Sequence, residues 1–145
     1  MILLDANILI YAYIDELPQH KKVSKWFENL ISSRVESVAI ISTVATAFLR
    51  ISTNKRIFSK PSSIADATDR LDELFMSPMV EFVGPTEKHW SIYSTILREM
   101  NITGDVVVDA YIAAMAVEHG AAVASADKDF RRFSDYVKIV DPLVS

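Results

Sequence analysis

A three-layer α/β domain built around a parallel sheet is the fold class this chain predicts. Short apolar runs alternate along the sequence with longer segments of helical periodicity. Each run is continuous in its apolar character rather than alternating, as expected of strands covered on both faces. No internal repeat, linker or low-complexity stretch interrupts the pattern, so residues 1–145 are expected to form one domain.

The elements follow in order. Ile2-Leu3-Leu4 is a short buried strand, followed by a helix from about Asn7 to Ile14 that Asp15 to Pro18 breaks. Pro18 suits the first turn of a second helix reaching Ser33, in which Val23, Trp26, Phe27, Leu30 and Ile31 share a stripe. Val38 to Ile41 is a second strand. Ser42 or Thr43 is placed to cap the helix carrying Val44, Ala47, Phe48 and Ile51. Pro61-Ser62-Ser63 opens a helix with Ile64, Leu71, Leu74 and Phe75 expected to face inward. Met79 to Val83 is a third strand, stopped by Gly84-Pro85. A helix from Thr86 and Glu87 runs through His89, Trp90, Tyr93, Ile96 and Leu97, and Asn101 to Gly104 ends it. The next helix spans 107–119 and is closed by Gly120. Ala122 to Ser125 is the fourth strand, a short helix follows Asp127, and Val137 to Val140 is the last strand.

Composition narrows the function classes. The chain is 50% hydrophobic and has no cysteine, which rules out disulfides and thiolate metal sites and suits a reducing cytoplasm. No apolar run approaches the roughly 18 residues a membrane span needs, and Met1 to Asp5 does not read as a signal peptide. A net charge of −4 argues against a protein that coats nucleic acid through its overall charge. Basic residues still gather locally, at Lys21, Lys22 and Lys25, at Arg50, Lys55, Arg56 and Lys60, and at Arg131 and Arg132. They read either as solvated helix faces or as contacts for phosphate.

Three acids stand at the margins of buried segments. Asp5 separates Ile2-Leu3-Leu4 from Ile8-Leu9-Ile10, Asp109 follows Val106-Val107-Val108, and Asp127 comes just after Ala121 to Ala124. A carboxylate in such a place is costly unless something pairs with it, and a shared divalent cation is the simplest partner. Ligands of open α/β sheets bind beyond the carboxyl ends of the strands, where the strand order reverses. Asp5 and Asp127 would meet there if strands one and four are neighbours, with Asp109 on the helix beside them and Asp105 four residues earlier. Oxygen-only ligation with room for water is what Mg2+ or Mn2+ prefers. Each acid also has a plainer reading. Asp5 and Asp127 suit helix N-caps, and Asp129 reads as a surface or capping acid.

The segments Leu3-Leu4-Asp5-Ala6-Asn7, Asp109-Ala110-Tyr111-Ile112-Ala113-Ala114 and Ser125-Ala126-Asp127-Lys128-Asp129-Phe130 resemble the acidic motifs of PIN-domain ribonucleases. The likeness is to the VapC-type toxins of bacterial and archaeal toxin–antitoxin pairs. It extends through Phe48 to Asn54, Pro85-Thr86 with His89-Trp90, and Val140 to Leu143. The resemblance implies a five-stranded parallel sheet of order 3-2-1-4-5. It also implies a Mg2+- or Mn2+-dependent endoribonuclease, a homodimer, and a small VapB-like antitoxin whose tail covers the active site. By motif matching, Asp5, Asp109 and Asp127 fall on the catalytic, metal-binding acids. Asn7 and Ser125 fall on the polar positions that orient the acids or water.

One position departs from the family. Many relatives carry a glutamate immediately before the Phe-Leu-Arg triplet, where this chain has Ala47. Loss of such an acid weakens metal binding by ~10–100-fold in comparable sites. Asp105 is the expected replacement, either as a ligand or through water; its alternative is a solvated helix-start acid. Arg50 is the expected phosphate-binding residue, with an ion pair as its alternative. His89 and His119 read as structural. Trp26, Phe27, Trp90 and Tyr93 read as core, or as a dimer or antitoxin groove. A receiver-type signalling domain would need an acid after strand three and a lysine after strand five, where Gly84-Pro85 and Asp141-Pro142 stand. A dinucleotide-binding domain would need a glycine-rich first turn, which Asp5-Ala6-Asn7 is not. The remaining rival is a PIN domain weakened in catalysis by Ala47 and serving as an RNA- or protein-binding module.

Overall fold

The structure, a computed structural model, describes residues 1–144; Ser145, the last residue of the expected domain, lies outside the described residues. Five strands form one sheet: β1 (Ile2–Leu4), β2 (Val38–Ile40), β3 (Val80–Phe82), β4 (Ala122–Ala124) and β5 (Ile139–Val140). Its order is β3-β2-β1-β4-β5, with every neighbouring pair parallel, as the family resemblance implied. The register sets Ile2 beside both Val38 and Ala122, and Leu4 beside Ala124, so β1 and β4 end level with each other.

Among the described residues six α-helices connect the strands: α1 (Ala6–Tyr13), α2 (His20–Ser33), α3 (Ser42–Ser52), α4 (Ile64–Phe75), α5 (His89–Glu99) and α6 (Val106–Glu118). A 3-10 helix, Lys128–Phe133, joins β4 to β5. Right-handed crossovers place α1–α4 on one face and α5–α6 on the other. The contacts agree, because α1 packs on α2 and α3, α3 on α4, and α5 on α6. Strands β1 and β2 are buried at every position and carry the middle of the core with Ile8, Leu9, Phe48, Met115, Phe130 and Phe133. Among the described residues no helix is long and apolar enough to cross a membrane.

Three local expectations change. The sequence suggests a third strand buried on both faces, but β3 is an outer strand and leaves Glu81 and Phe82 exposed. Ile64 faces solvent at 60% exposure, because the covered stripe of α4 begins a turn later with Ala67, Leu71 and Leu74. The helix after β2 starts at Ser42 itself, with extended Ile41 at the cap position and no side-chain capping bond. Gly120 does close α6: at φ +64° it lets Ala121 N–H reach back to the Ala116 carbonyl at 2.8 Å.

Candidate active site

The reversal of strand order falls between β1 and β4, and the three predicted acids gather at their carboxyl ends. Asp5 continues the ladder, its N–H donating to the Ala124 carbonyl at 2.9 Å, and it is only 8% exposed. Its Oδ1 accepts from the Ala6 N–H at 2.7 Å; its Oδ2 accepts from Ser125 Oγ at 2.8 Å and Asn7 Nδ2 at 3.1 Å. Asn7 in turn accepts from the Ala126 N–H at 2.9 Å, and Ser125 Oγ accepts from the Asp127 N–H at 3.2 Å. The Asn7 amide and Ser125 hydroxyl thus lace the end of β1 to the end of β4. Three donors on one carboxylate fix its rotamer and leave one lone pair free.

Asp127 is exposed and caps the 3-10 helix, accepting from the Asp129 N–H at 2.9 Å. The capping reading and the site reading are therefore compatible for this residue. Asp109 lies in the first turn of α6, half-buried, and no hydrogen bond holds its carboxylate among the described residues. Burial, then the charges of Asp5 and Asp127, push its pKa up to about 6; Arg132 opposes this and Asp129 adds to it. Burial also raises Asp5, against the lowering effect of the Ser125 and Ala6 hydrogen bonds. Burial thus disfavours the charged form of both acids, and the charge of Asp127 adds to it in each.

Asp105 is exposed at the start of α6 and makes no capping bond. The acid that joins Asp5 and Asp127 in acting on Asp109 is Asp129, which the sequence suggested as a surface or capping residue. Its only signal is its place two residues beyond Asp127, and that spacing faces the site only once a 3-10 helix forms. Ala47 is half-buried in α3 and contributes no oxygen. Arg50 is exposed in the last turn of α3, eight residues past Ser42 and so ~12 Å along the helix. His89 and His119 are structural, as expected: His89 Nδ1 donates to Glu118 Oε2 at 2.6 Å, and His119 Nε2 bonds the Gly84 carbonyl at 2.8 Å. The acids line neither of the clefts of about 430 and 450 Å³ that flank Tyr13.

Among the described residues no group of three His, Cys, Asp or Glu side chains is arranged to hold a metal ion directly. The donor set nevertheless fits a hydrated hard cation. It is all oxygen, Asp5 keeps one lone pair and Asp127 more than one, and among the described residues Asp109 has neither a donor nor an ion pair. Mg2+ keeps several waters and needs only one or two carboxylates directly, so water between the ion and the remaining acids suits it. A divalent charge would also reverse the electrostatics that raise Asp5 and Asp109.

An open parallel sheet with acids gathered at its switch point defines an α/β domain with an acidic site, and likeness to known proteins narrows it. The sequence model of the family described as PIN domain matches residues 2–136. Ribonuclease VapC31 of Mycobacterium tuberculosis is 36% identical over 143 residues, covering 99% of this chain and 100% of the relative. Ribonuclease VapC25 of the same organism is 34% identical over the same shares. Among solved structures, VapBC2 of Rickettsia felis, bound to a fragment of promoter DNA, superposes with a TM-score of 0.68 at 20% identity, covering 97% of this chain and 98% of that one. The chain belongs to the PIN-domain family, in its VapC ribonuclease branch.

Proposed function

We propose that the protein is a VapC-type toxin: an endoribonuclease that hydrolyses RNA phosphodiester bonds with the help of Mg2+ or Mn2+. The observation that carries this reading is the convergence of Asp5, Asp109 and Asp127 on one sheet edge, with Asn7 and Ser125 fixing the first of them. When bound, the cation supplies Lewis acidity, favouring ionisation of the attacking water and offsetting charge on the phosphate oxygens. The chain's own part is to hold the acids in place before any ligand arrives. Asp5 is immobilised by three hydrogen bonds, Asp109 is kept free of other partners, and Asp127 is set by its cap. None of these groups is placed as an evident general base.

The reading extends to partners. A small VapB-like antitoxin and a second copy of the chain follow from the family, and the cytoplasm is the compartment that suits them. Ala47 supports one rival, a PIN domain weakened in catalysis that binds RNA or protein. Cleavage of single-stranded RNA with Mn2+, Mg2+ or EDTA, by wild type and by Asp5→Asn, separates the two. Metal-dependent cutting that disappears in the variant is the expected result. Equal inactivity of both proteins, with RNA binding intact, would leave the binding module as the function.

A further inference from the structure

We propose that Arg132 is a substrate-binding residue, gripping a phosphate of the RNA strand beside the acidic edge; this rests on the ribonuclease reading above. The argument starts from the 3-10 helix. With three residues per turn, side chains three apart eclipse, so Lys128–Phe133 has three faces of two residues each. Phe130 and Phe133 form the buried face, 1% and 0% exposed, with ring centroids 5.0 Å apart. Lys128 and Arg131 form the second, and Arg131 Nη2 lies 3.8 Å from Asp141 Oδ2. Asp129 and Arg132 form the third. This face is joined to the acidic edge through the Asp129 N–H, which donates to Asp127 Oδ1 at 2.9 Å, and the charges of both its residues act on Asp109 in opposite directions.

Arg132 is exposed, and among the described residues it makes no ion pair. Its Nε donates to the Asp129 carbonyl at 3.0 Å. The guanidinium is therefore tethered by its inner nitrogen, and the four outer N–H bonds of its planar fork remain available. A cation that served only to neutralise the cluster would pair with a carboxylate, and Asp129 is on its own face. The observed tether instead holds an unpaired fork at the rim of a site that otherwise repels a polyanion. Such a fork matches two phosphate oxygens at once, which a lysine cannot do. Arg131, whose Nη2 lies 3.8 Å from Asp141 Oδ2, is not free in the same way. A phosphate contact carries no base preference, so the ligand is the RNA backbone itself.

The test uses the full chain and a fluorescein-labelled single-stranded RNA oligonucleotide. Binding is followed by anisotropy in EDTA from 50 to 300 mM KCl, and cleavage is followed with Mn2+. Arg132→Ala should raise Kd and KM by roughly 5–10-fold with kcat within about threefold. It should also lower the slope of log K against log salt by about 0.7, the value of one contact to a single strand. Arg132→Lys should restore the slope but not the full affinity, and Arg131→Ala should move neither. Unchanged KM and slope in Arg132→Ala, or an equal effect of Arg131→Ala, overturns the proposal. Wild type that binds without cutting would refute the ribonuclease reading and still judge Arg132 by the slope. Wild type that does not bind the oligonucleotide overturns both.

Discussion

Helix α6 carries two buried or half-buried carboxylates in opposite circumstances. Glu118, near its end, has a side chain with 0% exposure and a full set of partners. His89 Nδ1 donates to it at 2.6 Å, the Thr86 N–H at 2.7 Å, and His119 Nε2 lies 4.0 Å away. Asp109, nine residues earlier and ~13.5 Å along the same helix, has no hydrogen-bond donor among the described residues and faces Asp5, Asp127 and Asp129. The first acid ties the start of α5 to the end of α6. The second lies among like charges, a repulsion that a proton or a cation would relieve. A buried acid with partners belongs to the fold, whereas one surrounded by other acids points to a site.

Four variants can break or sharpen this contrast. Glu118→Ala should cost most, about 3–5 kcal/mol, because it strands His89 and the Thr86 N–H. Thermal melting should fall by roughly 10 °C while cleavage per folded molecule survives. A melting point unchanged within error would remove the structural role assigned to Glu118. Asp5→Asn should do the reverse, lowering cleavage by more than ~100-fold with an unaltered circular dichroism spectrum. Ser125→Ala removes one donor from Asp5 and the acceptor of the Asp127 N–H. Titrating Mn2+ into the cleavage reaction should show half-activation shifted upward by ~10-fold.

Asp109→Asn should have the smallest effect on stability, and an unusual sign. A carboxyl whose folded pKa is raised to about 6, from 3.8, binds more protons folded than unfolded, so its contribution to stability falls as pH rises through that window. In EDTA the asparagine variant should therefore melt a few degrees above wild type at pH 7.5, with the gap closing toward pH 4. Divalent cation should reverse the ranking by stabilising only the wild type. A variant no more stable than wild type at pH 7.5 would mean that Asp109 is relieved by something other than a cation.

Much of this site is legible in the residues. Asp5, Asp109 and Asp127 stand out because acids beside apolar runs demand a partner, and that demand needs no coordinates. Asn7 and Ser125 could be named only through the family likeness, since an amide two residues past an acid has no signature of its own. The position of Asp129 and Arg132 beside Asp109 was obscured for a different reason. Their orientation depends on a three-residue repeat, and a six-residue segment is too short to show whether its period is 3.0 or 3.6. The exposure of Ile64 and of β3 was hidden because hydrophobic pattern reports which residues prefer burial, not which element lies at the rim of the sheet.

Residue order and hydrophobic period alone determine the alternation of strands and helices, the parallel sheet, and three acids at the margins of apolar segments. These are local properties, governed by backbone geometry and by transfer from water. Tertiary contact decides which carboxylates share an electric field and which do not. It leaves Asp105 in solvent, brings Asp129 and Arg132 to Asp109, and gives Glu118 two histidines from 29 residues upstream and from its own neighbour. The reason is that electrostatic coupling depends on distance through the folded molecule, and sequence separation does not measure that distance.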